Sequence, residues 1–344
     1  MTRHPIDPER LKKSVQSFGD VSITALVDLV ADEFVFGEIA RVSREAPVLI
    51  LKHRERSVVP GGGGNAVMNL ASLGVNVLPV GVVGDDESGS LLLEQLRERK
   101  VSTSGIERLK GYTTPTKTRI LAGMQHTSRQ QVVRLDREPA QLEELHPVLL
   151  NLVNAAREYA TASDAFLISD YGYGAATPRL LNFIKSNRCL LNKPVTLDSR
   201  YRMLEFEGAT AATPNEPEVE EALDIKIGND DQELWDAGKK LMKRMTLESL
   251  VITRGRDGMV AFEKGMSPLA VPIFGSDQVV DVTGAGDTVI ATFTAALAAG
   301  ASTADATWLA NFAGGIVVMK RGTASVWNQE LLAAIDQFST TIVK

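Results

Sequence analysis

The chain has a single cysteine, Cys189, in 344 residues. No intrachain disulfide can form, so a reducing compartment is expected and the fold must rest on its apolar core. Histidine is scarce as well: His4, His53, His126 and His146 do not fall at a metal-ligand spacing. No apolar run is long enough for a membrane span, and the longest, around Ala291–Ala301, is interrupted by Thr292, Thr294 and Gly300. Met1–Gly19 is dotted with charge and lacks the apolar segment of a signal peptide. Basic excess is also missing. Lys and Arg number 37 against 43 Asp and Glu, a formal net charge of −6, which gives no electrostatic reason to expect a nucleic-acid or membrane partner. These absences leave a soluble, cytoplasmic protein as the expectation.

Several nucleotide signatures are absent too. No Gly-x-x-x-x-Gly-Lys-Ser/Thr loop occurs, which excludes a P-loop enzyme. His-Arg-Asp and Asp-Phe-Gly are missing, which excludes a protein kinase. The dinucleotide fingerprint Gly-x-Gly-x-x-Gly does not follow the first candidate strand, so a dehydrogenase loses its main support.

What is present is ordinary globular composition, 44% hydrophobic and 23% charged. Short β-branched runs at Val21–Leu29, Val75–Val80, Ala165–Ser169, Pro194–Asp198 and Leu250–Thr253 predict strands. Between them, Glu87–Lys100, Gln141–Ala160, Pro178–Asn187 and Asp231–Met245 carry helical patterns. This alternation predicts an α/β fold with a mainly parallel sheet, helices on both faces, and ligands at the carboxyl ends of the strands. Two segments break the rhythm. Residues 35–59 and 113–136 hold strand-like runs with no helix between them. They read as antiparallel strands protruding from the main sheet: a lid, an oligomer interface, or plain surface hairpins.

The densest chemical signal is Asp281-Val282-Thr283-Gly284-Ala285-Gly286-Asp287, ahead of a helical stretch at Thr288–Ala299. The glycines let the backbone present N–H groups to an anion, and the helix adds the positive end of its dipole. Asp287 would sit beside that anion, badly placed to bind it and well placed to take a proton from an attacking hydroxyl. An anion hole next to a base is what phosphoryl transfer to an alcohol requires. The alternative is a helix N-terminus that merely favours an acidic residue. A second cluster, Pro60-Gly61-Gly62-Gly63-Gly64-Asn65, precedes a small-residue helix at Ala66–Leu73. It allows close approach to a ligand, or makes a flexible turn.

In their order and separation, the two clusters resemble the ribokinase-like (phosphofructokinase-B-type) family of sugar kinases, over about Val21–Val326. Thr213-Pro214-Asn215-Glu216-Pro217-Glu218 matches the family's Asn-x-x-Glu motif, and Thr253–Gly258 resembles its nucleotide-side loop. Within the family the resemblance is closest to the D-glycero-β-D-manno-heptose 7-phosphate kinases. It is carried by Ser43–Val48, Pro60–Leu70, Pro115–Arg119, Arg134–Asp136, Ser169–Gly172, Asp281–Ile290 and Lys320–Thr323. Two departures stand out: Tyr173 replaces a lysine of the relatives, and Asp198-Ser199-Arg200 replaces Asp-Pro-Lys.

The resemblance implies a ribokinase-like three-layer fold with a small β-sheet lid and a single kinase domain over 1–344; the four histidines offer no His-x-Gly-His motif, so no nucleotidyltransferase domain is expected. Any adenylyl transfer is then expected on another polypeptide. The resemblance also implies ATP and Mg²⁺, with an activating monovalent cation as an open point, and a sugar or sugar-phosphate acceptor; the edge and apolar face that the protruding strands would leave exposed favour a homodimer. The base is Asp287, with Gly284, Ala285 and Gly286 in the same catalytic turn and the amides of Ala285, Gly286 and Asp287 around the transferring group. Asp32, Gly62, Asn65 and Asp170 fall on the sugar side, and Lys117, Arg119 and Arg134 are cations for a sugar phosphate or ordinary strand-surface charge. Asn215, Thr253, Gly255, Gly258 and Asn311 fall on the nucleotide side. Glu218 would reach Mg²⁺ through water, or close a capping box with Asn215, or both. A kinase for another sugar or nucleoside, and a binding regulator on the same fold, remain the alternatives. Intact Asp287 and its glycines favour the enzyme.

Overall fold

The computed structural model describes residues 6–342 apart from 124–129, 141, 143–145, 186–191, 229 and 276–279. Cys189, His4 and His126 lie outside the described residues. A short amphipathic helix, α1 (Pro8–Gln16), leads into β1 (Ser22–Val27). Two long strands follow, β2 (Leu29–Val42) and β3 (Leu49–Gly62), then α2 (Gly63–Ser72). Next come β4 (Asn76–Gly84), α3 (Glu87–Glu98), β5 (Ile106–Leu109), β6 (Thr116–Gly123) and β7 (Gln130–Arg137). The middle of the chain forms α4 (Val148–Ala160), β8 (Ala165–Asp170), α5 (Pro178–Lys185) and β9 (Val195–Ser199). It continues through β10 (Ala211–Ala212), α6 (Glu216–Leu223), α7 (Asp231–Met245), β11 (Ser249–Thr253), β12 (Met259–Glu263) and β13 (Leu269–Val271). Three helices follow, α8 (Ala285–Ala298), α9 (Thr303–Val317) and α10 (Asn328–Ile342).

The main sheet has nine strands in the order β13-β12-β11-β10-β9-β8-β1-β4-β5. It is parallel from β5 to β11 and antiparallel only at the β12–β13 edge. Strand side chains alternate between faces. Ile23, Ala25 and Val27 of β1 therefore pack with α1, α2, α3 and α8–α10. Leu26, with Phe166 and Ile168 of β8, packs instead with α4–α7. The result is a helix–sheet–helix sandwich with an apolar core on each side of the sheet.

The single strand expected over Val21–Leu29 is in fact two. The backbone of Asp28 turns out of the main sheet, donating to Ser169 O at 3.0 Å and accepting from Gly63 N at 3.1 Å. β2 thereby enters a second, four-stranded sheet of order β3-β2-β6-β7. Its two outer pairings are antiparallel and its central β2–β6 pairing is parallel. The main-sheet strands β1, β4 and β5 run the same way, so chain leaving them emerges at one edge and travels outward together. The helix expected at Ala66 starts at Gly63, so the glycines there are not a flexible turn. A Cβ on Gly63 would lie 2.6 Å from Val27 Cβ, which is why the first turn needs a residue without one.

Candidate active site

The carboxyl ends of β8, β9, β10 and β11 open into a cavity of 370 Å³. Asp170, Asp198, Thr213 and Thr253 line it from the strand ends, and Val282, Gly284, Gly286 and Asp287 face them from the start of α8. Asp281 shapes that turn by accepting from Thr283 N and Gly322 N, each at 2.9 Å. Gly284 caps α8 with φ +77°, and a Cβ there would lie 2.3 Å from Asn65 Nδ2. Only glycine meets both demands. No side chain caps this helix. The Ala285 N–H is already given to Val282 O at 3.2 Å, so Gly286 and Asp287 are left to present amides to an anion.

Asp287, in the first turn of α8, is 3% exposed. Its carboxylate accepts from Asn65 Nδ2 at 3.0 Å on one oxygen and from the Tyr171 hydroxyl at 2.8 Å on the other. Burial pushes its pKa up to about 7, against the two hydrogen bonds, which favour the anion; Asp32 adds to the rise and Lys117 opposes it. A carboxylate titrating near neutrality is matched to general-base work. Asn65 is oriented in turn by Asn69, whose Nδ2 donates to Asn65 Oδ1 at 3.2 Å and to Asn65 O at 3.0 Å.

The inner face of the small sheet carries the expected cations. Asp32 of β2 stands directly opposite Lys117 of β6, and Arg119 of β6 opposite Arg134 of β7. Arg119 is ion-paired with the buried Asp32. Arg134 holds Asp136 at 2.6 and 2.8 Å. Lys117 has no ion-pair partner among the described residues; its ammonium lies 5.1 Å from the Tyr171 ring centre, and burial lowers its pKa. Arg200 lines the cavity, also without an ion pair among the described residues. The backbone of Gly61 packs against Asp32, and a Cβ there would lie 2.3 Å from Asp32 Oδ2. Gly62 ends β3, caps α2 and backs onto Tyr171. Asp170 lines the cavity, yet its carboxylate is saturated: Arg202 binds it at 2.8 and 3.0 Å, Ser199 at 2.7 Å and Gly172 N at 3.1 Å. Tyr173 turns its hydroxyl to Glu138 at 3.3 Å.

Of the residues expected on the nucleotide side, Asn215 and Glu218 do form a capping box on α6, each backbone N–H reaching the other's side chain at 2.9 Å. Both still line the cavity, as does Thr253, which bridges Asn215. Thr213 Oγ1 is buried there with no hydrogen-bond partner among the described residues. Gly255, Gly258 and Asn311 lie off this cavity. The two glycines shape the β11–β12 hairpin, with Gly258 pressed against Val271 O, and Asn311 Nδ2 is spent on Pro272 O at 2.9 Å.

Burial, then the neighbouring carboxylates Glu218, Asp287 and Asp170, raises Asp198 well above the usual range; burial also raises Glu218. A divalent cation would relieve that crowding, so the donor set fits one. Among the described residues no three carboxylate, imidazole or thiolate groups converge into a metal site. The ion would therefore take most of its ligands from water and phosphate, as magnesium commonly does.

The sequence profile of the pfkB family of carbohydrate kinases matches residues 28–330. The chain belongs to that family. The bifunctional protein HldE of Geobacter sulfurreducens is 36% identical over 330 residues, which are 94% of this chain and 66% of that protein. HldE of Mesorhizobium japonicum is 37% identical over 352 residues, again 66% of its length against 97% of this chain. The chain thus spans just under two thirds of the curated relatives it matches. Arabidopsis thaliana ribokinase, solved with ribose and ATP, superposes with a TM-score of 0.71 at 18% identity, over 92% of this chain and 98% of its own. Escherichia coli phosphofructokinase-2 superposes with a TM-score of 0.72 at 16% identity, over 93% and 99%. These two likenesses show the ribokinase-like fold.

Three groups in this carbohydrate kinase were assigned no role from the sequence. Tyr171 donates to Asp287, Asn69 orients Asn65, and Asp28 accepts four backbone N–H groups from the turn after β8. Burial and then the nearby Asp170 raise Asp28 to about 6, while those N–H groups pull it down. Tyr171 lay inside a motif read for its aspartate, and a hydroxyl neighbouring an acid was the only signal that pointed to it.

Proposed function

We propose that this chain is an ATP-dependent kinase that transfers the γ-phosphate to the anomeric hydroxyl of D-glycero-β-D-manno-heptose 7-phosphate. The observation that carries the transfer chemistry is Asp287 itself: a buried carboxylate, titrating near neutrality, in the same turn as the free amides of α8. Asp287 takes the proton of the attacking hydroxyl, and the Gly286 and Asp287 amides receive the charge that builds on the phosphoryl oxygens. Asn215, Glu218 and Thr253, around the orphaned Thr213 hydroxyl, form the nucleotide side, and Gly255, Gly258 and Asn311 its outer wall. Magnesium, held through water by Glu218, would draw charge from the phosphates as they separate.

The acceptor reading is supported by the HldE relatives and by the inner face of the small sheet. Asp32 and Asn65 belong to the sugar side of this reading, with Gly61 and Gly62 as its floor. Lys117 and Arg200 are the cations left for the 7-phosphate, because Arg119 and Arg134 already hold Asp32 and Asp136. That prior commitment also favours a second reading, a neutral sugar as acceptor. The two separate cleanly in steady-state kinetics. Phosphorylated heptose should exceed the free sugar by well over tenfold in kcat/KM, and Lys117→Ala or Arg200→Ala should erode that ratio, since each charge-assisted bond contributes about 1.5–3 kcal/mol. Equal use of the two sugars moves the assignment to the neutral acceptor.

The same reading takes the small sheet, residues 35–59 and 113–136, as a lid on a single kinase unit that pairs with a second copy in the cytoplasm. One observation supports the pairing: Val42, Leu49, Val133 and Leu135 of this sheet, and Val48 in the turn between β2 and β3, are exposed. No helix among the described residues is long and apolar enough to cross a membrane.

A further inference from the structure

The two donors that fix Asp287 come from different parts of the chain, Asn65 from the first turn of α2 and Tyr171 from the turn after β8. Both trace back to one residue. The carbonyl of Asp28 accepts from Gly63 N, the first residue of α2, at 3.1 Å. Its carboxylate accepts from Tyr171 N and Tyr173 N at 2.9 Å on one oxygen, and from Ala175 N at 2.9 Å and Ala176 N at 3.1 Å on the other. Residues 171–177 belong to no helix or strand, and these four bonds hold the turn together with Gly172 N on Asp170 at 3.1 Å and Arg202 on Ala176 O at 3.1 Å. Asp28 is 1% exposed and is not among the residues that line the 370 Å³ cavity, which sets it apart from Asp170, Asp198 and Asp287.

We propose that Asp28 is the positioning residue of this centre, holding Asn65 through its carbonyl and Tyr171 through its carboxylate so that both donate to Asp287. The inference rests on Asp287 being the base. Other groups facing Asp287 are Asp32 from β2, Lys117 from β6 and Asp198 from β9; Asp170 faces Asp28 from β8. None of these donates to Asp287 in the structure, so its hydrogen-bonded orientation is set by Asn65 and Tyr171.

The test is the pH profile of kcat. Tyr171→Phe keeps the ring beneath Lys117 and removes only the hydroxyl. Losing that bond to the carboxylate should move the acid limb up by roughly one to two pH units, with turnover recovering at high pH. Asp28→Asn replaces an acceptor of four N–H groups with a side chain that also donates. It should shift the limb in the same direction, and the double variant should add little to either single one. A folded Asp28→Asn enzyme with an unmoved limb overturns the proposal, as does full additivity in the double variant. Hydrogen exchange on the wild type covers the case in which Asp28→Asn does not fold. The amides of Tyr171, Tyr173, Ala175 and Ala176 should be strongly protected despite lying outside regular structure, and rapid exchange at them overturns the anchor. Asp287→Asn serves as the separate control: if it retains turnover, the base assignment fails, whereas protected amides would still show the anchor in place.

Discussion

Asp287 occupies a position where a carboxylate is poorly solvated, and its chemistry follows from that. Burial lifts its proton affinity toward neutrality while Asn65 and Tyr171 hold the anion in reach of a substrate hydroxyl. Asp287→Asn should lower kcat by about 10²–10⁴, the usual contribution of a positioned base, and leave nucleotide affinity nearly unchanged because the α8 amides remain. Isothermal titration with a nucleotide analogue beside turnover measurements separates the two effects. Gly61 offers a second check at this scale. Gly61→Ala would bring a Cβ to 2.3 Å from Asp32 Oδ2, against a carboxylate pinned by Arg119. The acceptor site must then shift, so kcat/KM for the sugar should fall toward 10²-fold while nucleotide KM holds. Equal losses for both substrates would show that Asp32 is not on the sugar side.

Among the elements, the small sheet was legible as an excursion and not as a machine part. Alternating runs marked where it departs, but the identity of each face depended on register. Pairing Asp32 with Lys117, and Arg119 with Arg134, puts these groups on one face. It also makes Arg119 and Arg134 partners of Asp32 and Asp136, which a sequence cannot reveal. Strand β7 is exposed along its whole length, with Val133 at 52% and Leu135 at 61%. An edge strand with apolar side chains in water invites pairing. Light scattering should therefore find a dimer, and Leu135→Asp should return it to monomers. A wild-type monomer at working concentration would remove the pairing and leave the lid untouched.

Across the whole molecule, the centre is assembled at a cost in electrostatics that pH should expose. Asp28, Asp198, Glu218 and Asp287 all bind protons more tightly when folded than when unfolded. Between about pH 4 and 7 the folded chain therefore carries more protons, and its stability falls as pH rises. Asp86, Asp136, Asp281 and Glu33 are shifted the other way and act only below about pH 4. Without ligands, the melting temperature should drop by several degrees from pH 5.5 to pH 7.5, while turnover rises over the same range as Asp287 loses its proton. Magnesium and a nucleotide analogue should narrow the drop by balancing Asp198 and Glu218. A melting temperature that climbs with pH would contradict the buried acidic centre.

The sequence by itself determined the alternation of strands and helices, the turn at Gly284–Gly286 and the carboxylate that follows it. Those features are local: a period of two or 3.6, a backbone conformation that needs glycine, a carboxylate three residues into a helix. It also contained the capping box of Asn215 and Glu218, because its partners are neighbours in the chain. Tertiary structure alone decided which groups touch Asp287. Asn65 lies 222 residues from it and Tyr171 lies 116, and Asp28 reaches across 147 residues to Ala175. Contacts at such separations leave no periodicity to read. They exist only because parallel strands deliver their carboxyl ends to one edge of a sheet, where a bend at Asp28, a turn after β8 and the start of α8 come within hydrogen-bonding distance.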